Sequence, residues 1–125
     1  VAKLLLIEDE AGIQEYFKKV IARMGHSFVT ADNGPEGLEA LDRESDIDLI
    51  MTDLSMPGEP NGMALVRELR RRKPDTPIIV VSGYPTKERL DECEALGIKD
   101  FLTKPFEMTF FNTVVSRLLA EQGQS

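Results

Sequence analysis

A few residues in this chain have side chains and positions suited to chemistry. Glu8, Asp9 and Glu10 directly follow a short apolar run, Asp53 follows another, Ser82 a third, and Lys104 a fourth. Three carboxylates gathered in one pocket (Glu8, Asp9 and Asp53) would not coexist passively. Two carboxylates ~5 Å apart repel by about 3 kcal/mol at an effective dielectric of 20. Such a pocket must protonate, spread apart or take a cation. Oxygen-only donors with room for water suit Mg²⁺, with Mn²⁺ as a substitute. Lys104 is a point charge able to neutralise a carboxylate or a phosphoryl oxygen, and Ser82 offers a hydroxyl. An acceptor aspartate with a cation, a lysine and a hydroxyl makes up a phosphoryl-transfer set, because that chemistry rests on positioning and charge stabilisation. Singly, each residue also has an ordinary reading. Glu8 and Glu10 read as solvated loop acids or caps, Ser82 as a strand-end cap, and Lys104 as a surface lysine before a proline.

The elements that position these residues follow from hydrophobic periodicity. Residues 3–7 form a short, continuous apolar run, as in a strand buried on both faces. Ile13, Tyr16, Phe17, Val20, Ile21 and Met24 mark an amphipathic helix that Gly25 ends. Residues 27–31 predict a second strand. Asn33 with Glu36 three residues on, and Pro35 between, predicts a helix start running to about Arg43. Residues 47–52 predict a third strand, 63–73 a helix, 78–81 a fourth strand, 86–96 a helix with a thin face of Leu90, Cys93 and Leu96, and 99–102 a fifth strand. A broad stripe from Phe106 to Leu119 predicts the last helix. Alternating strands and helices mean a doubly wound α/β domain: a five-stranded parallel sheet with helices on both faces. Its functional crevice lies at the carboxyl ends of the strands, where the residues above stand.

Composition bounds the function. The chain has 125 residues, 42% apolar and 30% charged, with a net charge of −7. That predicts one domain over residues 1–125, with a core from about 2 to 119 and a frayed tail at 121–125. No apolar run approaches a membrane span, and the opening residues do not read as a signal peptide. One cysteine, Cys93, suits a reducing cytoplasm and cannot build a Cys-rich zinc site. The acidic balance argues against direct nucleic-acid binding.

Four segments together resemble the receiver domain of two-component response regulators (CheY-like). They are Leu5-Leu6-Ile7-Glu8-Asp9-Glu10, Met51-Thr52-Asp53-Leu54-Ser55-Met56-Pro57-Gly58, Val80-Val81-Ser82-Gly83 and Phe101-Leu102-Thr103-Lys104-Pro105-Phe106. The resemblance covers residues 2 to about 119, and it implies strand order 2-1-3-4-5. It implies that Asp53 accepts the phosphoryl group, and that Asp9 and Glu8 hold Mg²⁺ together with Asp53 and the backbone carbonyl of Ser55. Ser82 matches the switch hydroxyl, Phe101 the switch aromatic and Lys104 the active-site lysine, with a cis peptide before Pro105. The implied donor is a histidine kinase or a histidine phosphotransferase. The implied readout is a repacked surface on the fourth helix, fifth strand and fifth helix that controls an output domain or protein. Such a domain is not a turnover enzyme, although it promotes its own aspartyl phosphorylation and dephosphorylation.

Several features depart from the plainest pattern. Glu8 stands where aspartate is more usual, and Phe101 lacks the hydroxyl or imidazole often found there. The loop from Asp53 to Gly62 is one residue longer than the commonest pattern, with Glu59-Pro60-Asn61 inserted around it. Tyr84, two residues past Ser82, is placed to screen the site from water. The last helix lacks a charged dimerisation face, so a monomer or weak dimer is expected. Arg67, Arg70, Arg71, Arg72 and Lys73 read as a solvated helix face, and His26 as a surface residue that binds no metal. Other functions fit less well. A metal-dependent phosphohydrolase with an aspartate nucleophile would need a second aspartate where Ser55 stands. A flavin or nucleotide binder would need an anion-binding loop where Glu8-Asp9-Glu10 stand. A non-phosphorylated scaffold would not need the whole set. The receiver of a hybrid sensor kinase is the alternative setting for the same chemistry.

Overall fold

A computed structural model describes residues 1–55 and 62–122. The expected insertion at Glu59-Pro60-Asn61 and the tail residues 123–125 lie outside the described residues.

Strands and helices alternate along the chain. They are β1 (Lys3–Ile7), α1 (Ala11–Arg23), β2 (Ser27–Ala31), α2 (Gly34–Arg43), β3 (Leu49–Asp53), α3 (Gly62–Arg72), β4 (Ile78–Ser82), α4 (Lys87–Ala95), β5 (Asp100–Thr103) and α5 (Met108–Glu121). The strands form one parallel sheet in the order β2-β1-β3-β4-β5. The register pairs Ile7 with Thr52, Asp53 with Val81, and Ser82 with Thr103. The carboxyl ends of β1, β3, β4 and β5 therefore reach one edge together.

Successive side chains of a strand point to opposite faces, so each strand supplies two cores. On one face Leu5, Ile7, Ile50, Ile78 and Val80 pack under α2, α3 and α4. On the other, Leu4, Leu6, Met51, Ile79, Val81 and Leu102 pack under Phe17 and Ile21 of α1 and Phe111, Val115 and Leu119 of α5. This double burial explains the continuous apolar runs, since neither face of β1, β3 or β4 meets water.

Local signals set several boundaries. Asn33 Oδ1 accepts the Glu36 N–H at 2.9 Å, and Glu36 Oε1 accepts the Asp32 N–H at 3.2 Å. Asn33 thus caps α2 where the Asn-Pro-Glu spacing predicts, and Glu36 reaches back one residue beyond the cap. Gly25, at φ +85°, closes α1 in the left-handed region where glycine costs least.

Other boundaries are tertiary. β3 begins at Leu49, two residues later than the apolar run, because Asp48 is engaged in fixing β1. Its Oδ2 accepts the Lys3 N–H at 2.9 Å, and its own N–H donates to Lys3 O at 2.8 Å. β3 then runs through Asp53, and β4 through Ser82, so both are the last residues of strands and not the first of loops. α5 starts at Met108. Phe106 precedes it in the loop, packed against Phe17 and Phe111 with ring centroids 6.1 and 6.4 Å away. At its far end α5 includes Glu121, where the sequence suggests a frayed tail. On α4, Cys93 is buried and Leu96 half-buried, but Leu90 is exposed, so the expected three-residue face is really two.

Candidate functional site

The sheet edge gathers the chemistry-bearing residues. Glu8 follows β1 and is 1% exposed, Asp53 ends β3 at 2%, and Asp9 beside them is exposed. One carboxylate oxygen from each lies within 4.8 Å of the others. Lys104, just past β5, hydrogen-bonds Asp53 Oδ2 and stands 3.8 Å from Glu8 Oε1. Its backbone N–H donates to Ser82 O at 2.9 Å, which ties the loop after β5 to the end of β4. The Lys104–Pro105 peptide is cis.

Asp53 is held from both sides. Lys104 takes Oδ2, and the Ser55 N–H donates to Oδ1 at 2.9 Å. Glu8 is held less fully: its Oε2 accepts the Glu10 N–H at 3.1 Å. Burial, reinforced by the charge of Asp53, pushes the Glu8 carboxyl up to about 7, against the Glu10 N–H and Lys104, which favour its ionised form. Burial also opposes the charge on Lys104. The hydrogen bond and charge of Asp53, with Glu8 and Glu10, outweigh that and raise its pKa.

With all three acids ionised, Lys104 leaves two negative charges uncompensated. The donors are all oxygens, two buried and one open to solvent. This set fits a hard divalent cation that keeps part of its water shell.

Ser82 is fully buried at the end of β4. Its Oγ accepts the Tyr84 N–H at 3.0 Å and Arg89 Nη1 at 3.3 Å. Phe101 is half-buried and lines a groove of about 460 Å³ between α4 and β5, beside Leu90, Cys93, Gly97 and Ile98. A second, more apolar groove of about 420 Å³ runs from Ile13, Tyr16 and Phe17 to Pro105 and Phe106, with Lys104 in its wall.

Three expectations need correction. Tyr84 is 71% exposed and its hydrogen bonds to Ser82 and Arg89 are made by its backbone, so its side chain does not shield the site. His26 is half-buried, and its Nδ1 accepts the Ala2 N–H at 3.1 Å; burial lowers its pKa. The basic run on α3 is not uniformly solvated. Arg67 pairs with Glu92 of α4, and Arg72 with Glu68 and Asp42, while Arg70 caps four carbonyls: Leu96, Lys73, Pro74 and Thr76.

Sequence reasoning missed Arg89. Its one local signal is an arginine in the first turn of a helix, where the dipole disfavours a cation. Such a residue usually has a partner elsewhere.

The family model described as the response regulator receiver domain matches residues 4–116. The chain is 34% identical over 116 residues to the response regulator protein FleR of Pseudomonas aeruginosa, covering 93% of this chain and 24% of FleR. It is 33% identical over 107 residues to a chemotaxis protein CheY homolog of Campylobacter jejuni, covering 83% and 82%. It is 33% identical over 122 residues to the sensor kinase CckA of Brucella abortus, covering 97% of this chain and 13% of the kinase. The chain thus spans about a quarter of FleR but most of the chemotaxis homolog. A receiver-domain structure from Clostridium thermocellum superposes with a TM-score of 0.89 at 25% identity, covering 98% of both chains. The response regulator TrrA of Thermotoga maritima, solved in complex with Mg²⁺-BeF, superposes with a TM-score of 0.82 at 27% identity, covering 95% of this chain and all of TrrA. Among the described residues no helix is long and apolar enough to cross a membrane.

Proposed function

The chain belongs to the response regulator receiver domain family, a family of signalling switches and not of classical enzymes, and we propose that Asp53 is its phosphoacceptor. The observation that carries this reading is the Asp53 carboxylate itself. It is buried, held on one oxygen by the Ser55 N–H and on the other by Lys104, and it shares its pocket with Glu8 and Asp9.

The donor is a phosphohistidine of a histidine kinase or a histidine phosphotransferase. A carboxylate oxygen of Asp53 attacks phosphorus in line as the P–N bond breaks. The electron pair of that bond leaves with the imidazole nitrogen, which takes up a proton. Lys104, already on Asp53, follows the developing charge onto a phosphoryl oxygen. Glu8, Asp9, Asp53 and the Ser55 carbonyl would hold Mg²⁺, or Mn²⁺ in its place, which would supply charge neutralisation for the transferring oxygens. In a separate, later step water attacks phosphorus, the P–O bond to Asp53 breaks with its electron pair returning to the carboxylate, and phosphate leaves carrying the protons of the water. The apolar groove from Ile13 to Phe106 opens beside Lys104 and suits the apolar face of a protein donor.

The phosphoryl group adds about 1.5–2 negative charges and strong acceptor oxygens. The Ser82 hydroxyl donates to one of them, Phe101 turns into the space it vacates, and the surface of α4, β5 and α5 repacks to control an output domain or protein. The domain acts in the cytoplasm as a monomer or weak dimer, without binding nucleic acid or membrane itself. The match to a small share of CckA supports a hybrid sensor kinase as the alternative setting, with the same chemistry.

The test is intact mass after incubation with Mg²⁺ and acetyl phosphate. Wild type should gain a single phosphoryl adduct that decays on standing and does not form in EDTA, while Asp53→Asn should gain none. An adduct persisting in Asp53→Asn would place the acceptor elsewhere.

A further inference from the structure

The Ser82 hydroxyl sits in a closed hydrogen-bond ring. Ser82 Oγ accepts from Tyr84 N at 3.0 Å and from Arg89 Nη1 at 3.3 Å, and the same Arg89 nitrogen donates to Tyr84 O at 2.9 Å. Tyr84 is therefore held through both its N–H and its carbonyl. A serine hydroxyl has two acceptor positions and one proton. The ring occupies both acceptor positions and leaves the proton as the hydroxyl's remaining hydrogen-bonding group.

Arg89 belongs to the first turn of α4, whose N-terminus Thr86 caps by accepting the Arg89 N–H at 3.2 Å. A cation at this end opposes the helix dipole. The guanidinium turns back across the turn onto Ser82 and Tyr84, at the carboxyl end of β4. α4 otherwise has few anchors. Cys93 is its buried residue, Leu90 faces solvent, and Glu92 pairs with Arg67 of α3.

We propose that Arg89 is a positioning residue that restrains the resting state: it locks the Ser82 hydroxyl and the first turn of α4 into one arrangement. A group on Asp53 that draws the hydroxyl toward itself must stretch both accepted bonds. The 3.3 Å link to Arg89 is the longer and gives way, and α4 loses its tie to the site. The position of Ser82 is thus passed to α4 by a side chain of α4 itself. This inference rests on Asp53 being the acceptor.

The experiment compares ¹⁵N-labelled wild type, Arg89→Ala and Thr86→Ala by amide NMR, alone and during titration with beryllofluoride in Mg²⁺, a mimic of a phosphoryl group on a carboxylate. Without beryllofluoride, the α4 and β4–α4 amides of Arg89→Ala should already lie part-way along the line joining free and saturated wild type. Its half-saturation should fall by roughly three- to tenfold, the weight of one solvent-accessible, charge-assisted hydrogen bond that opposes switching. Thr86→Ala loosens the same helix end without touching Ser82, and should stay within about twofold of wild type. Unchanged or weaker binding by Arg89→Ala would overturn the restraint, weaker binding meaning that Arg89 helps hold the bound group. Equal effects in the two variants would overturn it too, since fraying alone would explain them. Failure of wild type to bind beryllofluoride would instead reject Asp53 as the acceptor and the restraint with it.

Discussion

Replacing Glu8 by Gln should stabilise the metal-free protein, and only above a definite pH. Glu8 is 1% exposed, and its carboxyl is pushed up to about 7 by burial and then by Asp53. In the unfolded chain the same group titrates near 4.5. Between those values the folded state keeps a proton that the unfolded state has released. The Glu8 contribution to stability therefore falls as pH rises through this window and levels off above about 7. At 1.36 kcal/mol per pH unit the ceiling is ~3 kcal/mol, or up to about 10 °C in Tm for a chain of this size. Glutamine matches the protonated acid in shape and charge. The difference between Glu8→Gln and wild type should be under about 1 kcal/mol at pH 5 and approach its ceiling at pH 8. His26, whose lowered pKa favours folding as pH rises through its range, acts in the opposite sense, but it cancels in that difference. The assay is urea unfolding in EDTA at several pH values between 5 and 8. Millimolar Mg²⁺ at pH 8 should narrow the gap, because a bound cation offsets the charge that the proton had removed. A difference that does not change with pH, or a Glu8→Gln protein less stable than wild type at pH 8, would refute the argument that Glu8 is held protonated by its surroundings.

Three further outcomes are expected. Lys104→Met should slow adduct formation from acetyl phosphate by about a hundredfold, the usual loss for one charge-stabilising donor; a time course of intact mass would measure it, and a drop of less than tenfold would remove the lysine from that role. Arg70→Ala leaves the carbonyls of Leu96, Lys73, Pro74 and Thr76 without their shared donor and should cost about 2 kcal/mol in urea unfolding, far more than an ordinary surface arginine. In Gly37→Ala the new Cβ would meet Ile7 Cδ1 at 2.5 Å and Cγ1 at 2.9 Å. Overpacking against that buried strand residue costs ~1–3 kcal/mol and outweighs the ~1 kcal/mol gain in helix propensity, so the urea midpoint should fall.

Much of the candidate site was legible because it is a set of strand ends. A run buried on both faces ends at the edge of the sheet, and an ionisable or hydroxyl side chain there stands out against the apolar run even where it is itself buried. Glu8, Asp53, Ser82 and Lys104 were all found in that way. The boundaries erred where a side chain was committed elsewhere. Asp48 is bound to Lys3, so the apolar run that includes Ile47 pairs only from Leu49. Phe106 fits the helical stripe of α5 but packs in the loop, because Phe17 of α1 and Phe111 form its cavity.

By itself the sequence determined what acts within a turn or a strand: the alternation of periods, the Asn33–Glu36 cap, the left-handed stop at Gly25 and the chemistry-bearing residues at the ends of the apolar runs. These rest on hydrogen bonds and sterics between residues at most a few positions apart, so local spacing suffices. The tertiary structure alone decided what long side chains would meet. Lys104 reaches Asp53 across 51 positions of sequence, Arg70 finds carbonyls in the loop after its own helix and at the end of α4, and His26 caps the start of β1. Arg89 lies only seven residues from Ser82, yet its bond there depends on how α4 sits over the sheet edge. A guanidinium or an ammonium carries donors but no fixed address, and its partner is whichever acceptor the packing of the sheet and helices leaves within reach.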